Sequence, residues 1–95
     1  MKFIWDPDKA AINFKKHKIS FELASSIFDD PFHLSIIDKH SYSEVRWISV
    51  GRSLDRKTLV VIHTDRIEVN EGEYIRIISA RKATLKEKKQ YEEGI

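Results

Sequence analysis

The chain has no cysteine, which removes a disulfide framework and any thiolate metal site. It has only three glycines and two prolines, so glycine-rich phosphate loops and dinucleotide fingerprints are excluded, and no linker or low-complexity tract interrupts it. No apolar run reaches membrane-spanning length, and the opening Met1-Lys2-Phe3-Ile4-Trp5-Asp6 lacks a signal-peptide core; a cytoplasmic protein without a membrane partner is expected. The four histidines, at 17, 33, 40 and 63, show no three- or four-residue spacing, so neither a metal nor another cofactor is expected. A net charge of +2 is too small to argue nucleic-acid binding by itself.

What is present suits one folded domain over residues 1–95. Hydrophobic residues make up 41%, with two Trp, three Tyr and five Phe, enough for a real core. Phe3-Ile4-Trp5 reads as a short strand. Asp6-Pro7 then caps a helix to about His17, with Ala10, Ala11 and Phe14 as the inward stripe and His17 as a structural cation at its end. Ser20 caps a second helix whose stripe is Phe21, Ala24, Ile27 and Phe28, stopped at Asp29-Asp30-Pro31. Strands follow at 32–37 and 44–50, separated by a polar turn at 38–43. A hairpin connection at 51–56 leads to Leu59-Val60-Val61-Ile62, an uninterrupted apolar run expected to be a central strand, which His63-Thr64 ends. Residues 65–73 read as a charged connection with a turn at Asn70-Glu71-Gly72. The expected class is α+β, in the order β-α-α-β-β-β-β-α, with hairpin-connected antiparallel strands.

The last strand organises the rest. Tyr74-Ile75-Arg76-Ile77-Ile78-Ser79-Ala80 is a buried strand that runs into Arg81-Lys82 and then a helix start, where Thr84 and Glu87 stand at capping-box spacing. Arg81, Lys82, Lys86, Lys88 and Lys89 form a basic run against Glu87 alone, while acids collect at Asp29-Asp30 and at Glu68, Glu71 and Glu73. Arginine on a stiff strand end suits phosphate, and RNA carries its own nucleophile, the 2′-hydroxyl. Cleavage then needs only acid–base groups and positive charge on the phosphate, for which one preorganised donor contributes about 3 kcal/mol. Arg76 and Arg81 are the candidates for that charge, and His63 for proton transfer. Arg46, Lys82, Lys86 and Tyr91 are candidate RNA contacts. Each has a plainer account: a wet-face or ion-paired arginine at 76, a structural tie at 81, a hydrogen-bonded strand-end histidine at 63. A solvated charge at 46 and a packing tyrosine at 91 are equally plain. A basic nucleic-acid-binding module without catalysis, or a corepressor that acts only with its partner, are the alternative functions.

These residues also carry a family resemblance. Trp5-Asp6-Pro7, Lys9-Ala10, Asn13, Lys16-His17, Ser20-Phe21-Glu22 with Ala24, and Phe28-Asp29-Asp30-Pro31 resemble the BrnT toxin family. So do Arg46, Ile48 to Gly51, Leu59 to Thr64, Arg76 to Arg81, Lys86-Glu87 and Tyr91. The resemblance implies a RelE-like fold with two N-terminal helices and a C-terminal helix around a curved antiparallel sheet. It also implies a ribonuclease toxin of a type II toxin–antitoxin pair that cuts RNA and blocks translation. The implied partner is a BrnA-like antitoxin with a ribbon-helix-helix domain, through which alone the pair would bind operator DNA and repress its operon. Family-type active positions fall on Arg76, Arg81 and His63, with Arg46 beside them. Two departures stand out: Lys18 replaces the usual glycine, so the first helix is expected to end differently, and the 65–73 connection is long, which would alter the rim of the cleft.

Overall fold

Each α-helix starts where a side chain satisfies its free amides. In the computed structural model, which describes residues 1–39, 44–70 and 72–94, strand β1 (Lys2–Ile4) leads into helix α1 (Pro7–His17). Asp6 accepts hydrogen bonds from the Asp8 and Lys9 amides. Ser20 caps α2 (Phe21–Ser25) through the Leu23 amide. The expected second helix is shorter in α form than its stripe suggested, tightening into a 3-10 helix over Ser26–Asp29. The Ser25 and Ser26 hydroxyls each donate to the carbonyl three residues back, a local competition that disturbs the α-helical ladder. At the other end of the chain Thr84 and Glu87 form the full capping box of α3 (Leu85–Glu93).

Lys18 ends α1 with φ 60° and donates its amide to the Phe14 carbonyl. The expected different ending is therefore corrected: lysine takes the left-handed cap that glycine favours. Of the expected inward stripe, Ala10 packs against the core, but Ala11 and Phe14 are corrected. Ala11 is exposed, Phe14 is 49% exposed and Ile12 67%, whereas Asn13 is the buried residue at 7%. Helix α1 lies against β6, and Asn13 is turned to that strand's backbone.

The remaining strands are β2 (Leu34–Ile37), β3 (Arg46–Arg52), β4 (Thr58–Thr64), β5 (Ile67–Val69) and β6 (Gly72–Lys82). Among the described residues they form a six-stranded sheet in the order β1-β6-β4-β3-β2, with β5 paired to the start of β6. Two features differ from the expected order. The charged connection contains β5, an antiparallel partner of β6 across a turn where Gly72 has φ 120°; Glu71 of that turn lies outside the described residues. And β1 pairs with β6 in parallel, so the first and last strands of the chain lie side by side at one edge of the sheet while β2 lies at the other. Of the expected turn at 38–43, residues 40–43 also lie outside the described part. Gly51 falls inside β3 rather than in the hairpin, and a Cβ there would meet the Cβ atoms of His33 and Ile27 at 3.0 Å.

Leu59, Val61, Ile77 and Ala80 face Ile19, Phe21, Ala24 and Ile27 in the core. As expected, β4 is central, with Leu59, Val60 and Val61 buried. One irregularity sets the faces of β6. Ile62 is registered with Ser79 and His63 with Ile77, which leaves Ile78 as the extra residue of a bulge. Ile77 and Ala80 thus share the core side, and Arg76, Ser79 and Arg81 share the other.

Candidate nucleic-acid interface

Alternation along the strands places Arg46 of β3, Thr64 of β4 and Arg76 of β6 in one row on the sheet face opposite the core. Arg46 is registered with Thr64, and the Arg76 amide donates to the Thr64 hydroxyl at 3.0 Å. Both arginines turn toward Glu44: Arg76 Nη2 lies 2.5 Å and Arg46 Nε 3.7 Å from its Oε1. Arg46 Nε is buried and makes no hydrogen bond. These side chains stay accessible, at 37% for Arg46, 42% for Arg76 and 36% for Glu44.

Arg81 occupies the same face, about 13 Å from Arg76 along the strand, four steps of β4 from Thr64 to Val60 at about 3.3 Å each. The two are held apart by different carboxylates, Glu87 and Glu44. Arg81 forms a two-pronged pair with Glu87, Nη1 to Oε1 at 2.8 Å and Nη2 to Oε2 at 2.9 Å. Glu87 also accepts the Thr84 amide. Held first by the guanidinium and then by that amide, against the opposing effect of burial, its carboxyl falls to about 2. Arg81 thus fastens the end of β6 to the start of α3.

His63 is not brought together with the arginines. It is registered with Ile77 and Trp47 on the core side and is 5% exposed. Its Nδ1–H donates to the Thr64 carbonyl at 2.8 Å. Nε2 then accepts from the Ser49 hydroxyl at 2.6 Å, and Ser49 in turn meets Ser35 at 2.6 Å. The Phe28 ring packs edge-on, centroids 4.9 Å apart, and burial holds the imidazole below its ordinary value. The bulge and strand parity together explain the separation: a residue one position off an arginine row must face the other way. A cavity of about 260 Å³ on that side touches Phe28, His33, Ser35, Trp47 and His63.

The other expected contacts divide as well. Lys86 is exposed on α3, while Lys82 is registered with the core residue Leu59, not with the arginine row. Tyr91 is 9% exposed and donates its hydroxyl to Asp30 Oδ2. Burial, then this bond to a carboxylate, push the phenol up to about 12. Asp30 also accepts the Arg52 and Phe32 amides, and these bonds outweigh burial to keep its carboxyl below the usual range. Tyr91 thus anchors α3 to the loop after α2. Neither Glu44 nor Asn13 was among the candidate site residues, although Asn13 is one of those that carry the family resemblance. Glu44 had a usable signal, an acid two residues ahead of Arg46, though it lies in a bend before β3. Asn13 had none in its own pattern.

Among the described residues no group of three or more His, Asp or Glu side chains is placed to hold a metal ion, and no helix is long and apolar enough to cross a membrane.

A family described as "Ribonuclease toxin, BrnT, of type II toxin-antitoxin system" matches residues 5–87. The crystal structure of the Brucella abortus ribonuclease toxin BrnT superposes with a TM-score of 0.56 at 25% identity, over 88% of this chain and 97% of that one. A comparison with curated proteins gave no match. The mixed α+β fold, with its helices and multi-stranded sheet, is similar to that of the Brucella toxin. With 5–87 covered by the family pattern, the chain belongs to the BrnT family of toxins of type II toxin–antitoxin systems.

Proposed function

We propose that the protein is a metal-independent endoribonuclease, a single RelE-like domain over residues 1–95, acting in the cytoplasm on the RNA of translation. The convergence of Arg46 and Arg76 on one point of an open sheet face carries this reading. Two guanidinium groups there can grip a phosphodiester and neutralise the charge that builds on it. Arg81, Lys86 and the rest of the basic run would follow the RNA backbone beyond the cut. Proton transfer falls to a group on the arginine face, because the His63 ring is closed in on the other side. A BrnA-like ribbon-helix-helix antitoxin would neutralise the toxin, and the pair would repress its operon, touching operator DNA through the antitoxin alone.

One observation favours a second reading, a binding module that cuts nothing: Arg76 and Arg81 are each engaged by a carboxylate of the same chain. Incubation of the purified protein with labelled single-stranded RNA in excess EDTA separates the two. Cleavage is expected. Binding without cleavage would reject the enzyme in favour of the module, and loss of cleavage on EDTA alone would reject metal independence.

A further inference from the structure

The arginine row lacks the histidine expected beside it, so the proton of the attacking hydroxyl needs another acceptor. Glu44 is the acid that both Arg46 and Arg76 face. It is partly open to solvent, at 36%, and lies within 4 Å of both guanidinium groups, so a ribose–phosphate laid on the two arginines would meet its carboxylate. We propose that Glu44 is the general base of the ribonuclease reaction, an assignment that rests on the ribonuclease reading above. Glu44 takes the proton of the 2′-hydroxyl as the 2′-oxygen forms its bond to phosphorus. The bond from phosphorus to the 5′-oxygen breaks and that oxygen takes a proton from water; the hydroxide left behind is neutralised by the proton Glu44 releases, which restores the carboxylate. The products are a 2′,3′-cyclic phosphate and a free 5′-hydroxyl, with no oxidant, reductant or further reactant.

The geometry supplies what the step requires. The carboxylate is faced from two strands by permanent cations, Arg46 on β3 and Arg76 on β6, which draw an incoming phosphate to the same point. Arg76 reaches Glu44 through one Nη2–H, and Arg46 Nε–H is a buried donor still without a hydrogen bond. The remaining Arg76 N–H groups are left for an oxyanion after the carboxylate has been bound, whereas Arg46 Nε is closed off from solvent and adds its charge alone.

The test compares the unsubstituted protein with Glu44→Gln and Glu44→Asp on a labelled single-stranded RNA in EDTA, alongside binding of the 2′-deoxy oligonucleotide of the same sequence, which cannot be cut. Glutamine keeps the acceptor for Arg76 and removes the base. Turnover of Glu44→Gln is expected to fall by about 100-fold or more, the usual worth of a general base, while KM and 2′-deoxy binding change less than about threefold. Glu44→Asp keeps the charge but withdraws the carboxylate by one methylene, so it also loses turnover while binding; it decides the matter if the glutamine variant fails to fold. Turnover of the folded Glu44 variants equal to the unsubstituted protein overturns the base and leaves the ribonuclease reading standing. An unsubstituted protein that cuts no RNA overturns both.

Discussion

Asn13 and Ala80, 67 positions apart, are joined by two hydrogen bonds: the Asn13 amide donates to the Ala80 carbonyl at 2.9 Å and accepts from the Ala80 amide at 3.1 Å. The side chain of a helix thereby takes the place of a neighbouring strand along β6, beyond the point where the short β1 stops. It also donates to the Ile19 carbonyl at 3.2 Å, tying both ends of the α1–α2 turn to the sheet.

Replacing Asn13 with alanine leaves the Ala80 amide and carbonyl buried and unpaired. A loss of about 2–3 kcal/mol is expected, the penalty for stranded backbone groups. Urea unfolding followed by circular dichroism measures it; a loss below about 0.5 kcal/mol, the scale of a neutral surface change, would show that water repairs the edge.

Lys18 holds a left-handed conformation, φ 60°, that costs a residue with a Cβ about 1 kcal/mol. Lys18→Gly relieves that strain but frees the unfolded chain. A net gain of about 0.5 kcal/mol is expected, read as a higher urea midpoint with an unchanged slope. A lower midpoint would mean that the lysine side chain contributes more than its backbone costs.

Glu87 titrates at about 2 in the fold, below the value of about 4.3 for an unconstrained glutamate. The stabilisation from its pair with Arg81 is therefore complete above about pH 5 and disappears as the pH falls toward 2. The pair is partly open to water, at 41% for Arg81 and 26% for Glu87, so its worth is about 1 kcal/mol or less. Glu87→Gln should be less stable than the unsubstituted protein at pH 7, with the two converging toward pH 2. A constant difference across that range would place the effect in the capping box alone.

Arg76 and Arg81 should separate in a toxicity assay. Arg76→Ala removes one of the two cations facing Glu44 and touches no core residue; it is expected to relieve growth arrest with little change in thermal midpoint. Arg81→Ala releases the start of α3 and should lower the midpoint by about 4–8 °C for about 1 kcal/mol. Full growth arrest by Arg76→Ala would remove it from the reaction. An unchanged midpoint for Arg81→Ala would show that its pair with Glu87 does not hold α3.

Much of this protein is written locally. Asp6, Ser20 and Thr84 start their helices because the capping group and the amides it satisfies are two or three residues apart. The apolar run Leu59–Ile62 is central because no polar side chain in it could tolerate either face. The family resemblance, too, is a property of the ordered sequence. Which side of the sheet each charged residue occupies is not local. It depends on a bulge at Ile78, on the parallel return of β1 and on Asn13 closing an edge, and each is decided by partners far along the chain. A strand reverses its faces at every residue, so a single extra residue separates Arg76 from His63, and only the folded sheet brings Glu44 between the arginines of two strands that are not neighbours.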